Sequence, residues 1–228
     1  MNRKTLGIIS IAVAVLLCLC SCALPGKTPA TDGKDTDTEY SMNYMVLVNR
    51  DNPLPDGWED ALQCEYFDNA VGDTVAVEKT AYAEYLKMKE ELEKEGIYVD
   101  LDSAYRSVKV QQETWDQFME KYGEEYTVSH VAVPGYSEHH TGLALDLFLI
   151  VDGQIMYENE DLEKYPEIWA KIHELAPDYG FILRYPEGKE DITGYSYEPW
   201  HLRYVGADLA KVITEEGLTL EEYIEQRN

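Results

Sequence analysis

The chain has 228 residues, enough for one domain of ordinary size with additional segments, and its 45% apolar residues suffice for a buried core. Acidic residues outnumber basic ones by 44 to 19, and the net charge of -25 argues against a basic patch for nucleic acid. We therefore expect no nucleic-acid partner. After the N-terminal segment, no apolar run in the sequence is long enough to span a bilayer.

The N-terminus has the layout of an export signal. Basic residues precede an apolar run that starts at Leu6, and small residues follow it. Positions 19–22 (LCSC) resemble the lipobox of bacterial lipoproteins, in which a cysteine becomes the first mature residue and carries lipid. Cys22 fits best because Ser21 supplies the small residue before the cut. We predict a signal at 1–22 and a lipid anchor in the cell membrane. A plain signal peptide or an uncleaved anchor is the alternative.

The next segment differs in composition from the rest of the chain. Residues 23–40 are rich in Pro, Thr, Asp, Gly and Lys without apolar periodicity, so we predict a flexible tether there and one domain over 41–228. Of the four cysteines, only Cys64 belongs to this domain. That excludes a disulfide within the domain and a metal site built from several cysteines.

Apolar periodicity and helix-end signals predict the elements of the domain in chain order. They are a strand at 44–48, a helix at 77–94, a strand at 97–101, a helix at 108–122, strands at 142–151 and 154–157, a helix from Pro166 to before Pro177, strands at 181–184 and 200–205, and helices at 207–216 and 220–226. The stretch 49–53 is a predicted turn. A small, largely antiparallel sheet with flanking helices indicates the α+β class.

The strand at 142–151 indicates which side chains face the core. Leucines occupy its odd positions from 143 to 149, whereas Asp146 lies on the other face. An aspartate in such an apolar strand is costly unless it is paired or binds a metal. His201 alternates in the same way with the apolar residues on either side of it.

Residue types alone allow a metal site here. His139 and His140 precede the strand that carries Asp146, and Glu198 precedes His201 by three positions. Two imidazoles, a carboxylate and an open fourth position suit a catalytic zinc ion, and a spare carboxylate can take a proton from water. Taken singly, such residues are more often hydrogen-bonded histidines, caps or ion-pair partners.

The string Ser137-x-His139-x-x-Gly142-x-Ala144-x-Asp146 resembles the zinc motif of the VanY-type D-alanyl-D-alanine carboxypeptidases. That group of metallopeptidases also includes D,D-dipeptidases and L,D-carboxypeptidases of the cell wall. The resemblance extends, in the same order, to residues 104–107, 180–186 and 198–206, and covers roughly 44–216. It implies a single zinc-peptidase domain.

The resemblance also implies roles for particular residues. The positions that match His139, Asp146 and His201 bind one zinc ion in that family, and the one that matches Glu198 is the general base. His140 stands where the family more often has glutamine, and motif position favours His139 over it as the ligand. In the implied mechanism, zinc lowers the pKa of water, and Glu198 takes its proton and returns it to the leaving amine.

A carboxypeptidase must also hold a free C-terminal carboxylate. Arg106 is the candidate because a guanidinium fork matches a carboxylate in two hydrogen bonds. It can equally face the oxyanion of the transition state, or form only a structural ion pair. Ser107, Gln112 and Ser137 are further candidates for hydrogen bonds to the peptide, although Ser137 also suits a turn or a cap.

We therefore expect a monomeric, lipid-anchored, extracytoplasmic zinc carboxypeptidase facing the cell wall, which removes the terminal D-alanine from peptidoglycan stem peptides. An L,D-carboxypeptidase acting on tetrapeptide stems is the alternative within the same chemistry. The rival from another class is a non-catalytic wall-binding lipoprotein. Glu198 argues against that rival, because loss of the base is the simplest route to a binding module.

Overall fold

A computed structural model describes residues 42–227, except for the side chains of Ser129 and His130. The predicted export signal, with Cys22, and the predicted tether at 23–40 lie outside the described residues. Within 42–227, no helix has both the length and the apolar character needed to cross a bilayer.

The described residues contain both helices and strands. The helices are α1 (Trp58–Ala61), α2 (Lys79–Lys94), α3 (Val108–Tyr122), α4 (Glu124–His130), α5 (Asn159–Leu162), α6 (Pro166–Leu175), α7 (Glu190–Thr193), α8 (Ala207–Glu215) and α9 (Leu220–Glu225), with 3-10 helices at Glu138–Thr141 and Ala176–Tyr179. The strands are β1 (Cys64–Asp68), β2 (Thr74–Glu78), β3 (Tyr98–Ser103), β4 (Ala144–Val151), β5 (Gln154–Met156), β6 (Phe181–Leu183) and β7 (His201–Tyr204).

The strands form two small sheets. β1 and β2 make an antiparallel hairpin, and the larger sheet has the order β3-β4-β7-β6, with β5 paired to β4. Every strand pairing in it is antiparallel. This confirms the α+β class and the small antiparallel sheet with flanking helices.

The odd-numbered leucines of β4 all belong to the main hydrophobic core, as the alternation predicts. They pack with Tyr85 and Met88 of α2 and with Trp169 of α6. Asp146 therefore projects from the opposite face of the sheet. In the antiparallel register, it is paired directly with His201 of β7. The core thus fixes two polar side chains next to each other on the far face.

Two differences between the predicted elements and the structure have a clear physical reason. The helix predicted from residue 77 begins at Lys79 because the two preceding residues belong to β2, and the Glu78 side chain caps the helix. The strand predicted at 44–48 is wrong. There the backbone carbonyls of Tyr44 and Val46 accept hydrogen bonds from the Arg203 guanidinium, at 3.0 and 2.7 Å, instead of from a neighbouring strand.

Candidate metal centre

Three side chains from different elements converge at one point. His139 comes from the 3-10 helix, Asp146 from β4 and His201 from β7, and one donor atom of each lies within 4.8 Å of the others. Nε2 of His139 lies 3.1 Å from Oδ2 of Asp146, and Nδ1 of His201 lies 3.0 Å from its Oδ1. The structure thus brings together the three predicted ligands.

Gly142 makes this convergence possible. It ends the 3-10 helix with a φ of 72°, and a Cβ atom there would lie 3.2 Å from both terminal carbons of Leu62. Glycine adopts this left-handed conformation without a steric cost. The chain can therefore turn directly from His139 into β4, as the motif requires.

Hydrogen bonds fix the tautomers of the two histidines. Nδ1 of His139 lies 2.7 Å from the carbonyl oxygen of Ala104, and Nε2 of His201 lies 3.1 Å from a carboxylate oxygen of Glu138. Both partners can only accept, so these nitrogens carry the hydrogens. The opposite nitrogens then turn their lone pairs toward Asp146. This is the arrangement in which outer carbonyl and carboxylate groups orient metal-binding imidazoles.

A cation is needed between these ring nitrogens and the carboxylate, and either a proton or a metal ion can supply it. Oδ1 of Asp146 is buried and makes no hydrogen bond of good geometry, although His201 lies 3.0 Å away. Burial lowers the pKa of His201, but the carboxylates of Asp146 and Glu138 outweigh it and raise this pKa to about 10. The site therefore attracts positive charge, and its two nitrogens and one carboxylate are donors that suit a divalent metal.

The adjacent His140 is held elsewhere. Its Nδ1 lies 2.6 Å from the carbonyl oxygen of Arg106, and its Nε2 accepts from the backbone N–H of Gly135 at 3.1 Å. Burial lowers the pKa of His140, which keeps this ring neutral. Because both ring nitrogens are hydrogen-bonded to the backbone, His140 has no nitrogen left to bind a metal.

Glu198 faces the same cavity. Its Oε2 lies 3.7 Å from Nδ1 of His201, and its side chain is 30% exposed. Burial raises the pKa of Glu198 to about 7, with Asp146 and Glu138 adding to the effect and His201 opposing it. A carboxylate with such a pKa can both accept and return a proton near neutral pH.

Arg106 also lines this cavity, whose volume is about 290 Å³. Its Nε is buried without a hydrogen-bond partner, and no ion pair within 4 Å involves it in the described part of the chain. Burial lowers its pKa, while Asp146 and Asp102 oppose that effect. A structural ion pair therefore does not account for Arg106, and its guanidinium is available to a ligand.

The other predicted contacts divide between the cavity and the surface. Ser137 is buried and lines the cavity. Ser107 caps α3, since its Oγ accepts from the N–H of Val110 at 3.1 Å. Gln112 is exposed and bonds to Asp116 at 2.8 Å, so the structure does not bring it to the site.

The residue before Gln112 occupies the expected place instead. Gln111 is buried and lines the cavity, and its Nε2 donates to the carbonyl oxygen of Ala132 at 2.7 Å while its Oε1 stays unpartnered. Thr114 and Phe118 line the same cavity from α3. The spacing of three and seven residues defines one helix face, a signal that selects Gln111 over its neighbour.

Comparison with known proteins decides the family. The model of the VanY family, D-alanyl-D-alanine carboxypeptidase, matches residues 74–207. The chain belongs to the VanY family. The resemblance inferred from the motif is thereby confirmed, and the protein is a peptidase of this peptidoglycan-directed group.

Among relatives of this VanY family member, the bifunctional D-Ala-D-Ala dipeptidase and carboxypeptidase VanXYC of Enterococcus gallinarum is 38% identical over 188 residues, 80% of this chain and 94% of that protein. The LD-carboxypeptidase LdcB is 36% identical with a TM-score of 0.70, over 80% of this chain and 86% of that one. A vancomycin resistance D,D-pentapeptidase VanY variant, solved with Zn(II), is 33% identical with a TM-score of 0.64, over 80% of this chain and 99% of that one.

Within the VanY match, Glu138 is a residue that sequence reasoning missed. Its Oε1 accepts hydrogen bonds from Nε of Arg184 and Nη1 of Arg203, each at 2.7 Å, while its Oε2 faces His201. Burial raises its pKa, but the two guanidinium groups hold it well below its usual range. Arg184 also binds Glu221 of α9 through both of its Nη atoms, at 2.9 and 2.6 Å, beyond the VanY match.

Replacing Glu138 with glutamine is expected to destabilise the fold. The change leaves the buried Arg203 without a carboxylate partner and Arg184 with Glu221 alone, and breaking a buried pair costs roughly 3–5 kcal/mol. Denaturant unfolding measures the free energy of unfolding. The same substitution at an exposed glutamate, Glu225→Gln, is the control. A loss below about 1 kcal/mol, the size typical of surface pairs, would contradict the role assigned to this carboxylate.

Proposed function

We propose that this protein is a zinc-dependent carboxypeptidase that releases the terminal D-alanine from peptidoglycan stem peptides. The observation that carries the proposal is the convergence of His139, Asp146 and His201, whose donor atoms lie within 4.8 Å of one another in one cavity with Glu198. The names of the relatives support the substrate class, since VanXYC is described as a D-Ala-D-Ala dipeptidase and carboxypeptidase.

Zinc is the proposed metal. Two histidines and one aspartate form a donor set that catalytic zinc sites use, and a solved VanY relative holds Zn(II). When bound, zinc supplies a Lewis acid that polarises the scissile carbonyl and lowers the pKa of water. The tautomers fixed by Ala104 and Glu138 keep the two imidazole lone pairs available to it.

The side chains around the metal centre supply proton transfer and orientation. Glu198 accepts the proton of the attacking water and returns it to the leaving amine, a dual role that its pKa of about 7 favours. Arg106 holds the C-terminal carboxylate of the peptide in its guanidinium fork. Because Arg106 lines the same cavity as the metal centre, it selects peptides that end close to the scissile bond.

The similarity to LdcB favours a second candidate within the same chemistry. That relative is described as an LD-carboxypeptidase, so cleavage of a tetrapeptide stem before its last D-alanine is the runner-up. Both reactions use the same metal, base and carboxylate anchor. They differ in the configuration of the residue on the acyl side of the bond, which the walls of the cavity must recognise.

Incubation of the protein with pentapeptide and tetrapeptide stems, with zinc or with a chelator, tests the proposal. We expect zinc-dependent release of D-alanine from the pentapeptide, because the family to which the chain belongs is that of D-alanyl-D-alanine carboxypeptidases. Faster release from the tetrapeptide would favour the L,D-specific alternative. Release from neither stem in the presence of zinc would contradict both and leave a non-catalytic wall-binding protein.

We further propose that the enzyme acts outside the cytoplasm, anchored to the membrane by lipid at Cys22. The LCSC sequence at positions 19–22 supports this, as does a substrate that lies in the cell wall. Mass spectrometry of the mature N-terminus is expected to find a lipidated cysteine. An unmodified start at Ala23 or later would contradict the anchor.

A further inference from the structure

A second cleft adjoins the metal centre and contains one cationic side chain. It has a volume of about 700 Å³ and shares Tyr195, Glu198 and Trp200 with the cavity at the metal centre. Among the described residues that line it, the single cation is Arg50, and the acidic ones are Glu163 and Glu198. A ligand that extends from the metal centre into this cleft therefore reaches a positive charge.

The Arg50 guanidinium has no carboxylate partner in the part of the chain that the structure describes. Its Cζ lies 4.9 Å from the ring centroid of Tyr195, so the ring orients the side chain without neutralising it. In contrast, the buried Arg184 and Arg203 are both paired with Glu138. Arg50 is exposed and lines the cleft, so its positive charge is available to a ligand there.

The backbone around Arg50 is held in place. The Oδ1 atom of Asn49 accepts from the N–H groups of Asp51 and Asn52, both at 3.0 Å, which closes the turn predicted from the sequence. The Nδ2 atom of the same side chain donates to Glu221 at 3.1 Å. These hydrogen bonds thus fix the backbone from which the exposed Arg50 side chain extends over the Tyr195 ring.

A chain of ring contacts sets an upper limit on the distance between Arg50 and the His201 ring of the metal centre. Tyr195 packs against Tyr185 at 4.8 Å, and Tyr185 packs against His201 at 4.7 Å. Together with the 4.9 Å contact of Arg50, these put the guanidinium at most about 14 Å from the His201 ring, which an extended peptide spans in roughly four residues.

We propose that Arg50 forms a subsite for a carboxylate that the substrate carries N-terminal to the scissile bond. The inference rests on the proposed function and extends it. Arg106 binds the terminal carboxylate next to the metal, and Arg50 binds a second carboxylate a few residues upstream. Stem peptides offer two sources of this group, namely the free α-carboxyl of a γ-linked glutamate and the side-chain carboxyl of a diaminopimelate residue.

Binding measurements separate this proposal from the cleavage reaction. Zinc-loaded Glu198→Gln protein is titrated by calorimetry with pentapeptide stems in which the glutamate carries a carboxylate or a carboxamide, and the third residue is diaminopimelate or lysine. We expect loss of one of these carboxylates to weaken binding about tenfold, as for a charged hydrogen bond. The position at which this occurs identifies the source of the carboxylate.

The same titrations with Arg50→Gln added are expected to abolish the discrimination. Arg227→Gln is the matched control, because Arg227 also lies over a tyrosine, Tyr223 at 4.3 Å, outside the cleft. Two results would overturn the subsite and leave the proposed function intact. One is equal affinity for all stems in the Glu198→Gln protein that retains Arg50, and the other is an unchanged difference in affinity between the stems after Arg50→Gln. Failure of every stem to bind would overturn both.

Discussion

Replacing Glu198 with glutamine is expected to lower kcat for D-alanine release by roughly 10²–10⁴-fold, the range that general acid–base catalysis contributes. Glutamine keeps the size of the side chain but cannot accept a proton at neutral pH. In the parent protein, the Glu198 carboxylate lies 3.7 Å from His201 and is not one of the three convergent ligands. Zinc binding is therefore expected to persist in the glutamine variant. Steady-state kinetics with zinc quantification checks both expectations on the same sample.

The exposed Glu167→Gln, at the start of α6, is the matched control and is expected to leave kcat unchanged. Two results would contradict the assignment of Glu198. One is full activity of the glutamine variant with zinc bound, which would show that another group takes the proton. The other is loss of zinc together with activity, which would make Glu198 a ligand.

Replacing Asp146 with asparagine is expected to abolish zinc binding and activity together. The aspartate faces both histidines, at 3.1 and 3.0 Å, and supplies the negative charge that draws a cation to this point. An amide is a poor zinc ligand and carries no charge, so we expect zinc affinity to fall by more than the roughly 100-fold that loss of an outer-shell partner costs. Competition with a chromophoric chelator measures the affinity.

Asp152→Asn is the control for this change, since the residue lies in the exposed turn directly after the same strand, with a φ of 52° that asparagine tolerates. Circular dichroism verifies that both variants keep the fold. If the Asp146 variant bound zinc as tightly as the parent protein while the fold persisted, the proposed ligand set would be wrong.

Local patterns in the sequence were sufficient to predict much of the fold. The helix at 108–122 agrees with α3 at both ends because Ser107 supplies an N-cap and Gly123 the end. The alternation of β4 correctly separated the leucine core from Asp146. These features depend on residues that are neighbours in sequence, so local patterns are enough to predict them.

Features that depend on distant partners could not be predicted in this way. Residues 44–48 have the composition of a strand, yet the partner of their carbonyls is the side chain of Arg203, some 157 positions away. Glu138 was overlooked in the middle of the motif because Arg184 and Arg203 lie 46 and 65 positions along the chain. The β1–β2 hairpin and the short helices α1, α4, α5 and α7 were also missed.

For the metal centre, the residues by themselves left both adjacent histidines open. The family motif selected His139, and the structure supplies the physical reason. His140 uses both ring nitrogens on backbone groups, whereas His139 uses one and turns the other to Asp146. Gln111 and Gln112 differ in the same way, since the helical twist brings only the former to the cavity.

Zinc titration of the metal-free protein tests the central claim most directly. After chelation and removal of the chelator, zinc is added back in known amounts while D-alanine release from a pentapeptide stem is followed. The site formed by His139, Asp146 and His201 predicts no release without metal and a linear recovery that ends at one zinc per chain. Release that persists without metal, or zinc binding that restores none, would contradict it.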